Sequence, residues 1–384
     1  MSENSLHIAL IGCGQIGGSF ALALHMAGAD VKITGYDENI RHSETLLDMG
    51  AIDAIAASLT HAVKHADIVM LAVPLRSYKE IIHDIASHLE PHAIITDVGS
   101  VKSTMTAFKS TLASSVALVP AHPISGSEQS GPLAVRADLF QDKLCVLTPD
   151  ADTSPEAVFA IESLWQSIGS TVRQMPAAIH DQLYAYVSHL PHVIAFVAAR
   201  QFFAMGAHIT PHDAVLARFL RISRSNPRMW TDIFIENSQA ITQGLYSYLA
   251  ILAHFSKELR QGDAGDKNAS PVQVAKAVLP RILASSLIST VSLYEQQSDI
   301  NARAFGAGGM RDIASPAADA PEDATAYISA HAAMVADIID ATMRFFSPVL
   351  SAIESADESA LFALLHAMQQ EAIAINAINA TTAQ

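Results

Sequence analysis

Between Ala121 and Pro132 the chain reads Ala-His-Pro-Ile-Ser-Gly-Ser-Glu-Gln-Ser-Gly-Pro, which gathers an imidazole, a carboxylate, three hydroxyls and two glycines. Little of this stretch can serve a core, and its glycines and prolines oppose regular structure. It follows an apolar run, Val116 to Val119, that reads as a strand ending at Pro120. Polar loops at the ends of buried strands are where α/β enzymes hold their reactive groups. His122 is therefore the candidate proton carrier, an imidazole being the side chain best suited to that task near neutral pH. A second polar run, Asp97-Val-Gly-Ser-Val-Lys102, ends the strand Ala93 to Thr96 and brings Ser100. Both runs are expected to face one cofactor cleft.

More chemistry lies further along. His180 begins a helix expected to run through Phe203, and Ser188, His189 and His192 share one of its faces at spacings of three and four. Pro191 removes a helical hydrogen bond there and implies a kink or a restart. Core packing, a zinc pair and an active-site role compete for these histidines. No cysteine or third close ligand accompanies them, so no metal is expected. Arg218, Arg221, Arg224 and Arg228 then follow at spacings of three, three and four. Cations so close repel unless anions neutralise them, and acidic partners are the plain expectation for two or three of the four. At least one guanidinium is a candidate to clamp a substrate carboxylate. Ser225-Asn226-Pro227 reads as a helix start, with Asn226 as cap, and Trp230 faces inward on that helix.

The first half supplies a frame for this chemistry. Leu6 to Ile11 is a strand, Gly12-Cys-Gly-Gln-Ile-Gly17 follows at once, and Ser19 to Ala27 has helical periodicity. A second strand, Val31 to Gly35, leads to Asp37. That is the order of a dinucleotide-binding unit: Gly12 for the tight turn, Gly14 for close approach to a pyrophosphate, and Gly17 for packing of helix on sheet. Gln15 and Ile16 open the helix whose free N–H groups would meet the phosphates. Asp37 stands where an acid takes ribose hydroxyls and repels a 2′-phosphate, so NAD is favoured over NADP. The alternation continues through Ile68 to Val73, closed by Val73-Pro74 at the cofactor edge, then helix Tyr78 to His88, strands Ala117 to Val119 and Lys143 to Thr148, and helix Pro155 to Ile168.

From Met175-Pro176 onward long helical patterns take over, so the expected division is a Rossmann-type α/β domain over residues 1–175 and an all-α substrate and dimerisation domain over 176–384. Within the latter, Gln261 to Ser270 reads as a linker and Pro271 to Glu295 as a helix. Ile300 to Thr325 reads as a surface loop, and Ala326 to Ile353 and Ser359 to Ala377 as closing helices. The apolar load of these helices suggests a homodimer. Of the 384 residues half are hydrophobic and 16% charged, which gives a globular protein. A net charge of −15 argues against general affinity for nucleic acid or anionic membranes. Two cysteines and no basic, cleavable start fit a cytoplasmic protein.

Taken in order, five pieces resemble the prephenate and arogenate dehydrogenases. They are Gly12 to Gly17 with Asp37, Asp97 to Lys102, His122 to Glu128, Ser188-His-Leu-Pro-His192, and Arg221 with Ser225 to Trp230. The third and fourth carry most of the specificity, whereas the first is shared by many unrelated dehydrogenases. The likeness spans roughly residues 6 to 250. It implies oxidative decarboxylation of a cyclohexadienol bearing a ring carboxylate, with NAD as acceptor. His122 would draw the hydroxyl proton and Ser100 would hold that hydroxyl or the nicotinamide. Arg221 would bind the ring carboxylate, Ser188, His189, His192 and Trp230 would line the pocket, and Glu128 would help to close it. The family carries an acid three positions before its arginine, where this chain has Arg218. A degraded echo, Gly308-Gly-Met-Arg-Asp312, lies downstream with Ser315 in the arginine's place, so Arg311 is an alternative ligand. A β-hydroxyacid dehydrogenase would use a lysine in its second domain, and no lysine occurs there before Lys257. A nucleotide sensor without turnover would keep the glycines but has no need of His122, Ser188, His192 and Arg221 together.

Overall fold

A computed structural model describes residues 5–126, 129–210, 213–261, 269–306, 308–318 and 321–381. The chain divides into two compact units, Met1–Asp181 and Gln182–Gln384, so the division falls within the helix Ala177–Tyr184, a little beyond the expected boundary.

In the first unit, strands β1 (Leu6–Ile11), β2 (Val31–Tyr36), β3 (Ala54–Ile55), β4 (Ile68–Leu71), β5 (Ile94–Asp97) and β6 (Ala117–Leu118) form one sheet in the order β3-β2-β1-β4-β5-β6. Every pairing in it is parallel. Parallel strands covered on both faces need continuous apolar runs, and β4 is buried at all four positions. The order reverses between β1 and β4, which opens the crevice where such sheets take dinucleotides. Pro120 then ends the run of β6, and the chain leaves this sheet. β7 (Ala121–Pro123) pairs antiparallel with β8 (Leu144–Leu147), which runs parallel to β9 (Thr171–Gln174) in a separate three-stranded sheet. His122 thus sits on a short strand and not in a loop. Pro123 closes the strand, and the paired segment is too short for an alternating pattern to announce it. The helix Pro155–Ser167 starts with Pro155 in its first turn and with Ser154 accepting the Ala157 N–H at 3.1 Å. It buries Trp165 against Phe20 and Phe140, ring centroids 4.8 and 5.1 Å away. Truncating Trp165 to alanine would cost about 3–5 kcal/mol.

The second unit is helical. The helix through Ser188 is interrupted as Pro191 requires. The segment Ala185–His189 is π-helical, Leu190 donates back to the Ala185 carbonyl, and the helix Leu190–Ala204 begins afresh. The wider turn absorbs an extra residue just before the proline, whose ring would otherwise strike the preceding turn. Short helices Ala214–Arg221 and Pro227–Glu236 follow, the second capped by Asn226 through the Arg228 N–H at 2.9 Å. The helix Pro271–Ser298 is long and apolar enough to cross a bilayer, but 67% of its most apolar window is buried within the protein. The stretch expected as a loop, Ile300 to Thr325, is instead helical over Ala302–Phe305, Gly308–Ala314, Ser315–Ala318 and Pro321–Ala330. Buried Ala302, Met310 and Ile313 explain the difference, because tertiary packing overrides the glycines and prolines that suggested a loop. Helices Ala332–Glu354 and Glu358–Thr381 finish the chain. Most of the expected linker, residues 262–268, lies outside the described residues.

Candidate active site

The glycine turn is built as its spacing implies. Gly12 adopts φ +100°, and a Cβ there would lie 2.3 Å from the Ala72 carbonyl oxygen. A Cβ on Gly17 would meet the Gly12 carbonyl oxygen at the same distance. Both glycines are demanded by the protein's own packing. At Gly14, by contrast, a Cβ would meet no protein atom within 4 Å, so nothing in the fold asks for glycine there. Gly14 also precedes the helix Gln15–Met26, whose first turn has no side-chain cap. An open glycine at an uncapped helix start fits a pyrophosphate. Gln15 donates to the Ala134 carbonyl at 3.2 Å, and Ile16 is half-buried beside it. Asp37 directly follows β2, and its carboxylate accepts the Cys13 N–H at 2.8 Å, which ties it to the turn. Its other oxygen takes the Asn39 N–H at 3.0 Å and faces His42 at 3.1 Å. Val73 and Pro74 follow β4, half-buried and exposed respectively.

Past β5 the polar run folds around a buried ion pair. Lys102 and Asp97 are both fully buried, with Nζ 2.6 Å from Oδ2. Lys102 also donates to the Ala121 carbonyl at 2.6 Å, and the same Asp97 oxygen accepts from the Tyr78 hydroxyl and the Gly99 N–H. Burial lowers the lysine's pKa, and the adjacent carboxylate opposes that. The pair pins the Ser100 loop to the strand that carries His122; Ser100 itself is half-buried.

His122, 9% exposed, places Nδ1 2.8 Å from Nε2 of His180, which is fully buried. His180 Nδ1 lies 2.8 Å from the Asp181 carboxylate, and that carboxylate also accepts the N–H groups of Lys102 and Ser103 at 2.7 and 2.8 Å. Burial pushes Asp181 upward, but the hydrogen bond from His180 and those from the backbone outweigh it and keep the carboxyl below its usual range. Burial lowers His180, so that imidazole is neutral. An ionised Asp181 can only accept, so His180 donates from Nδ1 and accepts at Nε2. His122 must then donate from Nδ1, which leaves Nε2 as its basic nitrogen. This three-residue chain fixes the tautomer a general base needs. His180 and Asp181 escaped the sequence reading, where they seemed only a helix start; the adjacent His-Asp pair was the available signal.

The helical unit carries its own cluster. His192 stacks on Trp230 with ring centroids 3.6 Å apart, and its Nδ1 lies 2.8 Å from the Ser188 carbonyl. Burial pushes His192 down to about 4, the residue as a whole being half-buried. It is neutral at pH 7 and donates from Nδ1 to the carbonyl, so Nε2 is an acceptor. Ser188 is half-buried, whereas His189 is a core residue, 1% exposed, with its Nδ1 3.0 Å from Asn237. Of the arginines, Arg221 pairs with Asp312 and Arg228 with Glu358, two of the four where acidic partners were expected for two or three. Arg311 is exposed. Glu128 and the side chain of Arg218 lie outside the described residues.

A parallel sheet of this order, a glycine turn tied to an acid, and a separate helical unit define the two-domain dinucleotide-dependent dehydrogenases. Comparison with known proteins narrows that class. The model of the prephenate dehydrogenase nucleotide-binding domain matches residues 20–174, and that of the prephenate dehydrogenase dimerization domain matches 176–270. Cyclohexadienyl dehydrogenase of Zymomonas mobilis is 36% identical over 267 residues, 66% of this chain and 86% of that protein. Prephenate dehydrogenase of Bacillus subtilis is 30% identical over 278 residues, 69% and 73% of the two chains. The crystal structure of prephenate dehydrogenase from A. aeolicus, in complex with hydroxyphenyl propionate and NAD+, superimposes with a TM-score of 0.59 at 28% identity, covering 77% of this chain and 98% of that one. The chain belongs to the prephenate dehydrogenase family.

Proposed function

We propose that the protein oxidatively decarboxylates prephenate to 4-hydroxyphenylpyruvate, or arogenate to tyrosine, with NAD as oxidant. The observation that carries this reading is the His122–His180–Asp181 chain, which equips His122 as a base in a member of this family. His122 takes the proton of the C4 hydroxyl at Nε2, and His180 and Asp181 disperse the charge it gains. When bound, NAD accepts the hydride from C4. The C1 carboxylate leaves as CO2, its bonding electrons aromatise the ring, and the phenolate oxygen recovers the proton from His122. Gly12, Gly14, Gln15, Ile16, Gly17, Val73 and Pro74 would hold the dinucleotide and Asp37 its ribose, and Ser100 would hold the reacting hydroxyl or the nicotinamide. Arg221 would bind the ring carboxylate, Ser188, His192 and Trp230 would form the pocket wall, and His189 would support Trp230, which it meets edge-on. We also read the protein as a cytoplasmic homodimer. Support comes from the match to a dimerization domain and from two free, buried cysteines.

The decisive experiment measures rates with prephenate and arogenate, each with NAD and NADP, following reduced-cofactor absorbance and CO2 together. Matched production of both with NAD supports the reading. Absence of turnover with either substrate would overturn it.

A further inference from the structure

The family matches run no further than residue 270, so the helix Gly308–Ala314 stands outside them. That helix nevertheless packs on the residues read as the carboxylate half-site. Asp312 pairs with Arg221 across 91 positions of sequence, and its carboxylate is 18% exposed against 46% for the arginine. Gly309, one helical turn before Asp312, lies against His192. A Cβ at 309 would come within 2.9 Å of the imidazole Cε1. Positions 309 and 312 share a helix face by their spacing. Met310 and Ile313 are buried and anchor the helix.

Resting on the proposed function, we infer that this downstream helix completes the carboxylate half-site. Asp312 positions Arg221, and Gly309 makes room for His192. The residue three positions before Arg221 is itself an arginine, Arg218. A cation at that position cannot restrain a second cation, and an arginine side chain has rotamer freedom to lose before it binds anything. Asp312 supplies the restraining charge from elsewhere in the chain. Gly309 serves a different need, because any larger residue would push into the imidazole. The two segments that compete as arginine motifs in the sequence are two parts of one site.

The test is steady-state kinetics of Asp312→Asn, Asp312→Glu, Gly309→Ala, Arg221→Ala, Arg311→Ala and the Arg221→Ala/Asp312→Asn pair. Asp312→Asn should raise KM for the cyclohexadienol about 5- to 50-fold, with kcat and the KM for NAD within about threefold of wild type. Asp312→Glu should recover most of the loss, and Gly309→Ala should also raise KM. In the Arg221→Ala background, Asp312→Asn should add nothing. Independent, multiplying effects, or a KM that rises in Arg311→Ala and not in Arg221→Ala, would overturn the inference while leaving the function intact. If wild type turns over neither substrate, the functional reading fails separately. The inference is then judged by binding of 4-hydroxyphenylpropionate, followed through tryptophan fluorescence. Asp312→Asn and Arg221→Ala must each weaken it at least about fivefold, and unchanged binding rejects it.

Discussion

Nδ1 of His122 lies 2.8 Å from Nε2 of His180, although 58 residues separate them, and this one contact decides which nitrogen of His122 is basic. Without His180 both tautomers become available and the carboxylate of Asp181 no longer reaches the base. His180→Ala should therefore lower kcat by roughly 10- to 100-fold, less than the roughly 10²- to 10⁴-fold expected for His122→Asn. KM values should move little. The double variant should be no slower than His122→Asn alone, since the second residue acts only through the first. Multiplying losses in steady-state assays would show instead that His180 has a separate role.

The glycines separate folding from binding. Gly14→Ala adds a methyl group where no protein atom lies within 4 Å, at a backbone φ of −85° that any residue adopts. Its melting temperature should stay within a few degrees of wild type, while the Kd for NAD rises at least about tenfold. Gly12→Ala forces a Cβ to 2.3 Å from a carbonyl oxygen at φ +100° and should yield unfolded or strongly destabilised protein. Calorimetry and cofactor titration of the two variants check both halves. Equal NAD affinity in Gly14→Ala would remove this glycine from the cofactor site.

The N-terminal architecture was legible because it depends on local signals. The glycine turn follows a strand apolar at every position but His7, and Asp37 directly follows the next one, so order and spacing determined the sheet's first half. His122 was legible as a reactive group but not as a strand residue, because β7 owes its existence to pairing with β8 more than twenty positions later. The relay behind it was hidden for the same reason. His180 belongs to a helix that sequence assigns to the following domain, and nothing local says it packs behind His122. The segment Ile300 to Thr325 misled by composition: its glycines and prolines suggest a loop, but Ile313 is fully buried and Asp312 meets Arg221. Contacts between distant segments were the part that periodicity could not supply.

Acid should destabilise the protein before its carboxylates titrate. His192 is held down to about 4 by burial, against an ordinary 6.5, and burial lowers His180 as well. The folded state therefore keeps these rings neutral while the unfolded chain takes up protons. Stability is fully present above about pH 6.5 and is lost as pH falls from there toward 4. His192 alone accounts for about 2 to 3 kcal/mol across that window. Asp181, held below its usual range, adds a further loss at still lower pH. Urea midpoints measured at several pH values should fall through the window, and His192→Asn should flatten the slope. A slope unchanged in that variant would show that His192 does not titrate as its burial requires.

Among the described residues Lys102 and Asp97 are the charged pair most completely removed from water, and their fate on mutation tests what holds the His122 strand in place. Lys102→Met leaves the Asp97 carboxylate buried with only neutral donors, the Tyr78 hydroxyl and the N–H groups of Gly99 and Ala121. Removing one member of a buried pair costs about 3–5 kcal/mol, since the remaining charge is uncompensated. Neutralising both should be far milder, because neither desolvated charge then remains. Asp97→Asn/Lys102→Met should accordingly recover most of the stability lost by Lys102→Met in urea denaturation. Activity should follow a different course. Lys102 also bonds the Ala121 carbonyl, the residue before His122, and the double variant does not restore that bond. Its kcat should remain depressed, by roughly 10- to 150-fold, the equivalent of one lost hydrogen bond to a charged group. A double variant with wild-type kcat would mean that the pair supports the fold without aligning the base.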